Sequence, residues 1–126
     1  MKALVCKSIT FDAAHNLPKH KGACNRLHGH TWRIVLGVYC EVDKVTGMGI
    51  DLGDIGEWLK MNVGGLYDHK YLNDLLDNPT AENIAQDILT TAMRYFELPC
   101  SVWVYETPTS WVAIQGDPHG QEPYTA

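Results

Sequence analysis

A chain of 126 residues, 45% hydrophobic and 20% charged, has the size and make-up of one ordinary globular domain and is too short for two. Its formal charge of −5, with no basic run to neutralise phosphates, excludes a general nucleic-acid binder, although a local pocket can still take a small anion. No apolar stretch reaches membrane-spanning length, residues 1–7 lack a signal-peptide core, and the four cysteines form no CxxC pair, so the expectation is a cytoplasmic chain with free thiols and no membrane partner.

Residues 2–15 alternate weakly through Leu4, Cys6 and Ser8 and predict a strand that ends on Phe11-Asp12-Ala13-Ala14-His15. Residues 16–27, rich in Pro, Lys, Gly and Asn, predict a loop. A loop this long inside a small domain is usually functional. It carries Cys24, flanked by Gly22, Asn25 and Arg26, whereas Cys6, Cys40 and Cys100 sit in apolar patterns and read as small core side chains. Over 31–42 the alternation is the clearest in the chain. Trp32, Ile34, Leu36, Val38, Cys40 and Val42 share one face, suited to helix packing, and the mixed opposite face is free to meet another subunit.

After a turn over 43–47, Asp51 is a good N-cap for a helix from Leu52 to Met61 or Asn62, with Gly64-Gly65 as its end. Asn78-Pro79-Thr80 signals a second helix start, with Glu82 in the first turn and an amphipathic run through Ile84, Ile88, Thr91, Ala92 and Tyr95 to about Phe96, before Pro99. Residues 101–107 and 111–115 predict a hairpin around Pro108-Thr109-Ser110. Glu106 falls on the same strand face as Val102 and Val104, where a carboxylate is costly unless it meets a partner or a ligand. Residues 117–126 predict a poorly ordered tail beyond a single domain of residues 1–116.

The chemistry centres on Cys24-Asn25-Arg26-Leu27-His28-Gly29-His30. In an extended segment His28 and His30 point the same way, and Gly29 lets another group approach closely. An HxH pair alone is weak evidence for a metal. His15, at the end of a strand, offers a third nitrogen, and three imidazoles around a zinc leave one position open, the catalytic pattern rather than the structural one. Asp68-His69 lies in a second unusual cluster, residues 66–74, and pairs a carboxylate with an imidazole.

The segments FDAAH (11–15), CNRLHGH (24–30), LYDHKYLND (66–74), NPTAEN (78–83) and YET (105–107) resemble the 6-pyruvoyltetrahydropterin synthase family in kind and order. The three residues between Cys24 and His28 resemble the bacterial 6-carboxy-5,6,7,8-tetrahydropterin synthase branch of queuosine biosynthesis. The likeness implies an α+β tunnelling fold: a four-stranded antiparallel sheet with two helices on one face. It implies three subunits closing a barrel and two trimers stacking into a homohexamer, with sites between subunits and one Zn2+ per subunit on His15, His28 and His30. It further implies Cys24 as proton acceptor, Asp68 and His69 as an acid/base relay, Glu106 as anchor of the pterin ring and Thr80 as a further ring contact. The implied reaction takes 7,8-dihydroneopterin triphosphate and water to 6-carboxytetrahydropterin, acetaldehyde and triphosphate. His20, Lys21 and Arg26 are the candidates for helping the triphosphate leave. The rivals are a pyruvoyl-forming or side-chain-cleaving activity on the same fold, an unrelated zinc hydrolase, and a non-enzymatic module with a structural zinc.

Overall fold

The computed structural model describes residues 1–120; the predicted tail lies partly outside them, from residue 121 on. Four strands, β1 (Lys2–His15), β2 (His28–Glu41), β3 (Cys100–Thr107) and β4 (Ser110–Gly116), form one antiparallel sheet in the order β1-β2-β3-β4. β1 and β2 pair without a break from Lys2 opposite Glu41 to His15 opposite His28. That unbroken ladder places the two strand-end histidines side by side.

The side chains from Trp32 to Cys40 predicted to share a face do so, whereas Val42 falls one residue beyond the end of β2. Trp32, Ile34, Leu36 and Val38 are fully buried beneath the helices, with Val102 and Val104 from β3. Helix α3 (Ala81–Phe96) lies against β3 and β4 and contributes Ile84, Ala85, Ile88, Leu89 and Ala92 to this layer. Each buried Val, Leu or Ile of this layer is worth about 1.5–3 kcal/mol when withdrawn from water. Tyr95, at the helix's last turn, instead stands 66% exposed. The Thr80 hydroxyl caps α3 by accepting the Asn83 N–H at 3.1 Å, and Glu97 closes the helix in a left-handed conformation, φ 56°.

The first helix differs from the sequence expectation. Asp51 caps α1 (Leu52–Leu59) as predicted, its side chain accepting the Gly53 N–H at 2.7 Å, but Gly64-Gly65 does not end the helix. The chain winds on through a π segment, Lys60–Gly64, and a last turn, α2 (Gly65–Tyr67), and stops where Asp68 turns extended. Gly64 keeps ordinary right-handed angles (φ −56°, ψ −48°) and sits over β1, where a Cβ would come within 3.2 Å of Ile9 Cδ1. Its small size serves close packing rather than a stop. The extra turns bury Val63 and Tyr67, and the Tyr67 hydroxyl donates to the Asp87 carboxylate of α3. They also deliver Asp68 and His69 onto the end of β1.

Candidate metal centre and its surroundings

Strand register builds the centre. His15 faces His28 directly across the β1–β2 ladder, and His30, two residues on, falls on the same side of the sheet. Ring centroids are 4.5 Å apart for His15–His28, 4.9 Å for His28–His30 and 5.3 Å for His15–His30. One ring nitrogen from each residue lies within 4.8 Å of the other two, the only such grouping of His, Cys, Asp or Glu given by the described residues. Trp32 forms the floor. It is fully buried, meets both His15 and His30 edge to face, and donates its indole N–H to the Ala13 carbonyl at 3.2 Å.

Backbone carbonyls fix which nitrogen each ring turns inward. His15 Nδ1 lies 2.8 Å from the Pro79 carbonyl, and His28 Nδ1 lies 2.7 Å from the Arg26 carbonyl. A carbonyl accepts only, so each Nδ1 carries its proton and, in the neutral ring, each Nε2 presents a bare lone pair. Those two Nε2 atoms face one another at 2.9 Å. Two lone pairs at that distance repel unless a cation lies between them. His30 Nε2 is buried without a hydrogen-bond partner. Burial pushes His15 and His30 below the ordinary imidazole value, which keeps both rings neutral and free to coordinate. The donor set therefore fits a divalent metal, since tetrahedral zinc–nitrogen bonds of about 2.0–2.1 Å bring such nitrogens close together. Carbonyls that orient metal-binding imidazoles are the usual outer layer of these centres.

Glu106 approaches from β3. The ladder to β4 skips from Tyr105 to Thr107, and the Glu106 carboxylate, on the face of Val102 and Val104, lies 4.0 Å from His30 Nε2. On the other flank Asp68 and His69 dock on the free edge of β1. The Asp12 N–H donates to Asp68 Oδ1 at 3.0 Å, and the His69 N–H donates to the Asp12 carbonyl at 2.7 Å. His69 holds a left-handed backbone, φ 59°, uncommon for a residue with a side chain and often met at working sites. Its Nδ1 lies 2.9 Å from Asp68 Oδ2, and its side chain is 80% exposed. The Asp12 N–H first, and the His69 ring second, hold the Asp68 carboxyl below the usual carboxylate range. An open groove of about 630 Å3, with His30 and His69 both in its wall, joins these two groups.

The family profile described as 6-pyruvoyl tetrahydropterin synthase matches residues 4–117. The chain belongs to this family. A 6-carboxy-5,6,7,8-tetrahydropterin synthase of Synechocystis is 41% identical over 90 residues, covering 65% of this chain and 68% of its own. A protein of the same description from Bacillus subtilis is 34% identical over 125 residues, 83% of this chain and 80% of its own. The structure of Caenorhabditis elegans 6-pyruvoyl tetrahydropterin synthase superposes with a TM-score of 0.81 at 23% identity, covering 93% of this chain and 97% of that one. That likeness establishes the tunnelling fold.

Within this family member the remaining predicted site residues lie as follows. Cys24 occupies a single 3-10 turn, Ala23–Asn25, half-buried, its carbonyl accepting the Leu17 N–H at 2.8 Å. Arg26 is exposed and reaches the centre through its carbonyl rather than its guanidinium. Thr80 follows Pro79, whose carbonyl holds His15, and its hydroxyl accepts the capping hydrogen bond of α3. Sequence reading missed Trp32 as the floor, Pro79 and Arg26 as carbonyl anchors, and Asp12 as the acceptor and donor that seats Asp68 and His69. The alternation of β2 offered a signal for Trp32, on the same face as His28 and His30. Nothing in a sequence marks a main-chain carbonyl.

Proposed function

We propose that this chain is a zinc-dependent lyase that converts 7,8-dihydroneopterin triphosphate and water to 6-carboxy-5,6,7,8-tetrahydropterin, acetaldehyde and triphosphate, a step of queuosine biosynthesis. The observation that carries the metal assignment is the pair of lone-pair-bearing nitrogens of His15 and His28 at 2.9 Å beside the unpartnered His30 Nε2. The product assignment rests on the likeness to the 6-carboxy-5,6,7,8-tetrahydropterin synthases of Synechocystis and Bacillus subtilis. Zinc bound at the three imidazoles would supply Lewis acidity toward the hydroxyl oxygens of the substrate side chain.

The chain's own groups divide the remaining work. Cys24 serves as the base that takes a proton from the substrate side chain. His69, its Nδ1 engaged by Asp68, has Nε2 left to give or take a proton at the groove, and the carboxylate stabilises the ring when it is charged. Glu106 accepts hydrogen bonds from the 2-amino and ring N–H groups of the pterin, and Thr80 adds a ring contact. Arg26, with His20 and Lys21, draws off the triphosphate. We assign the working unit to a trimer or a dimer of trimers, with sites shared between subunits, in the cytoplasm. No helix of the described residues is long and apolar enough to cross a membrane.

The deciding experiment incubates the zinc-loaded protein with dihydroneopterin triphosphate and measures both trapped acetaldehyde and the pterin product by mass spectrometry. Equimolar acetaldehyde and 6-carboxytetrahydropterin are expected. The second reading, a 6-pyruvoyl product, is favoured by the description of the family profile itself, and a 6-pyruvoyl pterin without acetaldehyde would establish it instead. For the metal, His30→Ala is expected to weaken zinc by more than the roughly 10–100-fold seen on losing a ligand's hydrogen-bond partner. One zinc per chain retained against a competing chelator would remove His30 from the donor set.

A further inference from the structure

Asn16, the residue directly after His15, makes four hydrogen bonds to two separate loops. Its backbone N–H donates to Asn73 Oδ1 at 3.0 Å, and its carbonyl accepts from Asn73 Nδ2 at 2.9 Å. Its side-chain Oδ1 accepts the Tyr71 hydroxyl at 2.5 Å. Its Nδ2 donates to the Asn25 carbonyl at 3.3 Å. Asn25 follows Cys24 in sequence, and Tyr71 lies two residues after His69. One side chain thus spans from the loop that bears the thiol to the segment that bears the imidazole, and its own backbone is continuous with a metal donor.

We propose that Asn16 is a positioning residue that sets where the Cys24 thiol and the His69 imidazole stand relative to the metal centre; the role rests on the catalytic reading given above. Other observations favour it over mere loop packing. The Asn16–Asn73 exchange copies the paired bonds of a strand ladder at the point where β1 stops pairing with β2, so the fixed geometry extends one residue beyond the sheet. The neighbouring Ala14 N–H donates to the Lys70 carbonyl at 3.1 Å, and Ala14 bridges Tyr71, so the His69 segment is already held on this edge. On the thiol side, Leu17 N–H to Cys24 carbonyl closes the loop and Asn25 Nδ2 donates to the His20 carbonyl at 3.3 Å. That makes the loop a unit, and of the bonds described here Asn16 alone ties this unit to the His69 segment. A catalytic pair displaced by about 1 Å can lose on the order of 100-fold in rate without any change in its chemistry.

The test uses the full chain loaded with zinc and compares Asn16→Ala, Asn16→Asp and Tyr71→Phe. Three quantities are read: zinc per chain, kcat and KM with dihydroneopterin triphosphate, and the rate at which iodoacetamide alkylates Cys24, followed by peptide mass mapping. Asn16→Ala is expected to lower kcat by about 10–100-fold, leave KM within a few-fold and zinc at one per chain, and speed alkylation several-fold. Asn16→Asp keeps the acceptor for Tyr71 but sets a carboxylate against the Asn25 carbonyl, so it should resemble the alanine variant at Cys24. Tyr71→Phe, which removes one bond only, should fall between wild type and alanine.

Unchanged Cys24 alkylation in the Asn16 variants overturns the proposal, as does a fall in kcat that tracks loss of zinc. Should the Asn16 variants not fold, wild-type alkylation and kcat in Tyr71→Phe would overturn it. The alkylation rate needs no substrate. A protein that fails to turn over dihydroneopterin triphosphate but shows the predicted alkylation pattern would therefore defeat the substrate reading and leave the positioning role standing.

Discussion

The proposed base, Cys24, sits in a short turn of its own, outside the strands that carry the three imidazoles. Its removal should therefore separate metal binding from turnover. Cys24→Ala is expected to cut kcat by about 100–10,000-fold, the usual range for a lost acid/base group, with zinc unchanged by elemental analysis. Full activity in that variant would return the choice to a zinc hydrolase using a carboxylate. Asp68 offers a pH test with a definite sign. The Asp12 N–H, and then the His69 ring, prefer the carboxylate and hold its carboxyl below the usual carboxylate range. The stability it contributes is present above its unfolded value and is lost as pH falls through the lowered one. A carbon-detected NMR titration should place the Asp68 midpoint below that of an ordinary exposed aspartate, and Asp12→Pro, which deletes the first of those donors, should move it up.

At the scale of elements, α3 is started by a single hydroxyl. Thr80→Ala should cost about 1 kcal/mol in urea unfolding, and Thr80→Ser should recover most of it; no difference between the two would show that the cap is idle. The elements themselves were largely legible in the sequence. The β2 alternation, the Asp51 and Thr80 starts and the β3–β4 hairpin all depend on local spacing. Three things were not. The end of the first helix was misread because Gly64 answers to the nearness of Ile9, 55 residues away in the chain, and not to a local stop. The meeting of His15 with His28 depends on ladder register across a 12-residue connection, and strand periodicity says which face a residue takes but not which residue it meets. The carbonyls of Pro79 and Arg26, and the hub at Asn16, are matters of main-chain position. The types of residue at the centre could be read from the motifs; what holds them in place could not.

For the whole molecule, the helix-free face of the sheet carries a cluster suited to the proposed contact with further copies. Trp111, 54% exposed, stacks on Tyr105 with centroids 5.1 Å apart, and Arg33 lies over the Tyr105 ring at 4.2 Å. Aromatic and guanidinium groups of this kind are enriched where proteins meet. β1 and β4 are the two outer strands, and barrel closure would remove both edges. Light scattering coupled to size exclusion is expected to give three or six times the 14.1 kDa chain mass. A monomer fully active at nanomolar concentration would exclude a site shared between subunits. The unbroken pairing of β1 with β2 has one more consequence, for how such a sequence can change in length. The turn between the strands can gain or lose residues and the nitrogens at its base still meet. One residue added within β1, by contrast, would swing His15 to the opposite side of the sheet and abolish the site at a stroke. Convergence of the three imidazoles should thus survive a change of length between Leu17 and Ala23 far better than one within β1, whereas turnover still needs Cys24 held in place.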